Sequence, residues 1–169
     1  MIEFDFKKYL LFSLCHVLVF AAAAQDCNVI RETDLFTKET RLSSGFIDLS
    51  GASVTIDADK KELDILFSFK TNRCFDDGCT ATIYFAGTKS KLLLRNAGTM
   101  NCEGLYHFIF RNAVTVNYQL KKLATAKISH IVFTDRDQKM VPVNLDEPMQ
   151  LKFMQAVDCV TKEAVKLLQ

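Results

Sequence analysis

Three cysteines and a histidine, Cys74, Cys79, Cys102 and His107, follow the pattern C-x4-C-x22-C-x4-H. Thiolate and imidazole are the ligand types that hold zinc, although zinc sites usually open on a shorter gap. The same thiols could work with a histidine instead. A cysteine beside a histidine base is a nucleophile, so Cys159 or Cys74 with His107 or His130 is the pairing a small hydrolase or a thiol-dependent redox enzyme would use. No local signature of a thiol protease surrounds these cysteines. Both histidines lie in strand-like runs among large apolar residues, where an imidazole is more often structural. The acidic groups Asp57-Ala58-Asp59, Asp76-Asp77-Gly78 and Asp135-Arg136-Asp137 lack the spacing and the following Glu of a calcium loop, and turn chemistry explains them. There is no P-loop, G-x-G-x-x-G or G-x-S-x-G. No catalytic residue, metal or cofactor is assigned on these patterns.

The compartment weighs against metal and towards disulfides. Lys7 and Lys8 precede the apolar run Tyr9–Phe20 and the alanines 21–24, which reads as a signal peptide over residues 1–24 cut before Gln25. The run is shorter than the ~20 residues a spanning helix needs, so no stable membrane anchor is expected after cleavage. Of 6 Cys, Cys15 leaves with the leader. Cys27, Cys74, Cys79, Cys102 and Cys159 remain, and an odd number leaves one thiol over. Disulfides are the default in an oxidising compartment. Cys79–Cys102 is the most economical bridge, because the two bracket one end of a hairpin; Cys74–Cys79 is its rival. Cys27–Cys159 would tie the start of the exported chain to its last helix.

Residues 25–169 are enough for a single domain. The hydrophobic fraction of 49% with 14 Phe supports a core, and a net charge of +1 offers nothing to a nucleic acid. Gln25–Lys38 reads as an ordered lead-in with a turn of helix, anchored by Val29, Ile30, Leu35 and Phe36. Thr40–Leu49 is extended. Ser53–Asp57, Glu62–Lys70 and Thr80–Ala86 alternate in strand fashion, and Lys91–Arg95 pairs back on the last of these. Ile56, Ile65, Phe67, Ile83, Phe85, Phe108 and Ile131 are the expected sheet core. Gly104–Arg111 is apolar on both faces, which suggests a central strand or one covered by a helix.

Asn117 caps a short helix to Ala126. Lys127–Thr134 and Met140–Leu145 form a last hairpin, with Pro142 marking an edge. Pro148–Leu168 is a long helix with Phe153, Val157, Val160 and Ala164 on one stripe. The element order predicts an α+β fold: a largely antiparallel sheet, a short helix before the last hairpin and a long C-terminal helix packed on the sheet.

The Ala-Gln junction at residues 24 and 25, Asp34–Thr37, Asn101–Gly104 and Leu120–Phe133 (LKKLATAKISHIVF) resemble small exported proteins of unassigned activity typical of Bacteroidetes-type secretomes. That resemblance implies a periplasmic or secreted domain and carries no site residues. The expected function is therefore a non-enzymatic module that binds a ligand or an envelope protein. Tyr84, Tyr106 and Phe108 are the candidate ligand-binding residues on a concave sheet face. The Cys/His enzyme is the alternative.

Overall fold

The computed structural model describes residues 27–169; the signal-peptide reading of residues 1–24 lies outside them. The chain runs β1 (Ile30–Thr33), β2 (Thr40–Ser43), β3 (Ile47–Leu49), β4 (Ala52–Ala58), β5 (Glu62–Phe69), β6 (Thr80–Phe85), β7 (Lys91–Arg95), β8 (Leu105–Arg111), α1 (Tyr118–Thr125), β9 (Ile128–Thr134), β10 (Met140–Asn144) and α2 (Glu147–Lys166). The strands form two antiparallel sheets. One has the order β1-β2-β4-β5-β8, with β3 also paired to β4; the other has the order β10-β9-β6-β7. The fold is α+β, and the long final helix packs on the sheet.

Period-two alternation builds the core. In β5, Leu63, Ile65, Phe67 and Phe69 turn inward, while Asp64, Leu66 and Ser68 turn out. Val54 and Ile56 of β4 and Tyr106, Phe108 and Phe110 of β8 share that inner face. Ala81, Ile83, Phe85, Ile131 and Phe133 meet them from the second sheet. Phe67 touches every layer: its ring lies 5.5 Å from Phe108, 5.0 Å from Phe133 and 6.2 Å from Phe153 of α2. All seven expected core residues are buried.

The helices start where their caps require. Asn117 accepts from the Gln119 amide, and Asp146 accepts from the Met149 amide at 2.9 Å, with Pro148 in the first turn. Pro142 sits in β10 at the sheet edge, as its missing N–H demands.

Three expectations are corrected. The lead-in carries a strand, β1, ahead of a single turn in which the Lys38 amide donates to the Asp34 carbonyl, and three of its four proposed anchors are exposed, Ile30, Leu35 and, at 95%, Phe36, while Val29 packs partly buried against the core. Pairing with β2 makes this strand, without burial. Secondly, β8 ends its sheet instead of lying at the centre. An irregular segment follows its free edge, where the Ala97 amide donates to the His107 carbonyl, and Ile109 stays exposed on the outer face.

The third correction concerns the cysteines. Cys27 is bonded to Cys159, as the sequence suggests, but Cys102 is bonded to Cys74 and Cys79 is free. Across the hairpin Cys79 faces Asn96, whose amide donates to the Cys79 carbonyl. Cys79 continues the inward row Ala81–Ile83–Phe85 and is buried. The partner of Cys102 is set elsewhere: Phe75 and Asn101 form an antiparallel bridge, which puts Cys74 and Cys102 side by side. Gly104 closes this region at φ 76, where a Cβ would stand 2.7 Å from the Thr71 carbonyl oxygen. Two disulfides among the described residues suit an oxidising, exported environment. Among those residues no helix is long and apolar enough to cross a membrane.

Candidate functional site

The outer face of the six-stranded sheet carries the polar half of the alternation. Asp57 of β4 stands directly opposite Asp64 of β5, and Asp64 opposite Ile109 of β8. Ser43 continues the row from Asp57 to Ile30 of β1. Together with the β1–β2 hairpin, this face encloses a cleft of about 620 Å³. Five carboxylates line it, from Glu32, Asp57, Asp59, Glu62 and Asp64, against the single guanidinium of Arg41. Ile30, Leu42, Phe46 and Ala58 supply the apolar wall. Phe46 is 77% exposed, an unusual state for a large ring on an ordered segment.

The carboxylates are differently engaged. Asp59 accepts the amides of Lys61 and Glu62 and holds the β4–β5 turn. Asp57 accepts from the Thr55 hydroxyl at 3.1 Å. Asp64 Oδ2 lies 2.7 Å from His107 Nδ1, while its Oδ1 is buried with no partner. Like charges directly opposite each other on neighbouring strands destabilise a sheet, and buried polar atoms normally find partners. The Asp57–Asp64 pair breaks both rules at the wall of the cleft.

His107 is held on several sides. Its amide donates to Asn96 Oδ1 at 2.8 Å, and Gly98 lies against the ring so closely that a Cβ there would stand 2.6 Å from Cδ2. The hydrogen bond to Asp64 raises the imidazole above its ordinary value, with burial opposing and the Asp64 charge assisting.

The residues singled out in the sequence do not gather here. Tyr106 and Phe108 are buried between the sheets, because β8 turns its even-numbered residues inward. The Tyr106 hydroxyl donates to the Cys79 carbonyl, and burial pushes its phenol far above the usual range. Tyr84 is on the outer face of the other sheet, stacked on His130 at 4.3 Å. The three therefore line no common surface.

Nor do the cysteine constellations assemble. Cys74 and Cys159 are in disulfides, His107 meets Asp64, and His130 meets Ser129 and Tyr84. The three cysteines and His107 of the zinc pattern are thus committed elsewhere. The Cys79 thiol donates to Asp76 Oδ1, and burial raises it above its ordinary value. A raised, buried thiol is inert. Among residues 27–169 a thiol-specific reagent should find no reactive cysteine in the native, non-reduced protein and one, Cys79, after denaturation. A fast-reacting native thiol would restore the thiol-enzyme reading.

In the sequence Asp57 reads as part of the turn cluster Asp57-Ala58-Asp59 and Asp64 as a solvated strand residue, so neither by itself points to the other. One signal was present. The two flank the Asp59–Glu62 turn symmetrically, so a two-residue hairpin loop at Lys60-Lys61 places them face to face. No family model, curated protein or solved structure matches the chain.

Proposed function

We propose that the chain is an exported, non-enzymatic binding module whose concave outer sheet face takes a small organic cation, an ammonium or a guanidinium. The observation that carries this is the charge of the cleft, five carboxylates to one guanidinium, with Asp57 and Asp64 opposed at its wall. A bound cation would offset the repulsion of that pair. The side chains of Ile30 and Phe46 would cover the methylenes that usually carry such a group. Binding fits the cleft better than catalysis does. Its one serine, Ser43, accepts from the Gly45 amide, and His107 Nδ1 is committed to Asp64. Export is supported by the leader pattern and by the disulfides. Periplasm or the exterior is the expected destination.

Titration calorimetry with Nα-acetyl-arginine amide and putrescine, against succinate, tests the reading. The cations should bind one per chain, and more weakly as salt rises, since the cleft is open to solvent. Asp57→Asn and Asp64→Asn should each weaken binding about tenfold, or ~1.4 kcal/mol. Saturable binding of succinate alone, or no binding of either cation, would reject it.

A further inference from the structure

We infer that a proton on His107 and a cation in the cleft compete for Asp64, so that the site holds its ligand when His107 is neutral and releases it when His107 is protonated. This rests on the cation reading above. The geometry is specific. Asp64 belongs to the cleft wall and to the His107 contact at once, with its Oδ2 2.7 Å from Nδ1. An imidazolium there offsets the Asp64 charge for as long as it keeps its proton. A neutral imidazole carrying its proton on Nδ1 would still donate to Asp64 but leave the full negative charge to the cleft. One protonation therefore changes the charge presented to a ligand by one unit.

The ring is held against Asp64 by its surroundings. The Asn96 side chain fixes the His107 backbone, and Gly98 backs the ring. The charged surroundings are few. From β5 comes Asp64, and beyond it from β4 comes Asp57, directly opposite Asp64. On the histidine's own strand Arg111 lies four residues on, opposite Glu62. The segment Asn96–Gly98 contributes no titratable side chain. Asp64 is thus the group through which His107 acts, and the hydrogen bond between them places the transition above the ordinary histidine value of ~6.5.

The sign follows from linkage. As pH rises, His107 loses its proton, the cleft gains negative charge and cation affinity climbs. Reciprocally, a bound cation lowers the His107 pKa. A ligand that lowers it by about one unit binds the neutral form about tenfold more tightly.

Two measurements test this on the intact protein. Calorimetry with Nα-acetyl-arginine amide, whose guanidinium stays charged throughout, is run at pH 5.5 and pH 8.5. The affinity should be about tenfold higher at pH 8.5 and should lose that slope in His107→Asn. NMR titration of the histidine C2–H resonances needs no variant. Adding the ligand should lower the His107 midpoint and leave that of His130 unmoved. Equal affinities at the two pH values, an unmoved His107 midpoint, or an undiminished slope in His107→Asn would overturn the competition while leaving the cation site standing. Absence of cation binding at both pH values would remove the site and the competition with it.

Discussion

Phe67→Ala should lower the free energy of unfolding by about 3–5 kcal/mol, the range for emptying a fully buried aromatic site. Phe67 has no exposed surface and lies on β5, between β4 and β8. Its ring meets Phe108 on a neighbouring strand, Phe133 from the opposite sheet and Phe153 from α2. Shrinking it leaves a void that three separate elements must close, and close-packed elements relax only partly. Urea denaturation gives the number. A loss under ~0.5 kcal/mol would mean that Phe67 does not occupy this junction.

The second large effect belongs to the Cys27–Cys159 bridge. The double substitution Cys27→Ser/Cys159→Ser should cost about 4 kcal/mol, within the 2–5 kcal/mol common for native disulfides. The bridge spans 132 residues in sequence, against 28 for Cys74–Cys102. On the chain-entropy argument the longer closure should stabilise by about 1.4 kcal/mol more than the shorter. Denaturation of the two double-serine variants, each retaining the other bridge, should reproduce that order. A larger loss from Cys74→Ser/Cys102→Ser would show that local contacts around the Phe75–Asn101 bridge dominate instead.

What could be read from the chain divides along a physical line. Alternation at Glu62–Phe69 and Thr80–Phe85, the Asn117 and Asp146 caps and the edge proline Pro142 are local signals, and the structure follows them. The pairing of β5 with β8 brings together residues some forty positions apart, and no local pattern announces it. That pairing sets Asp64 beside His107, and nothing local in the sequence links the two. The Cys102 partner was missed for the same reason. A two-residue antiparallel contact, Phe75 with Asn101, decides it and has no periodicity to detect. At β1 no residue is buried, so the alternation that marks a strand is missing. Of the four anchors expected there, Ile30, Leu35 and Phe36 face solvent and only Val29 packs against the core.

The Cys27–Cys159 bond also has a mechanical consequence. It joins the first described residue to a point on α2 ten residues before Gln169. Tension applied between the two ends of this segment passes through the covalent bond and bypasses both sheets. Only the short tail beyond Cys159 can pay out, about 35 Å at full extension. Hydrogen-bonded strands between the two cysteines would feel none of the pull while the bond is intact. Apart from that tail the segment is inextensible when oxidised, and once this bond is reduced it can be unravelled from either end, except for residues 74–102, which the second disulfide still closes.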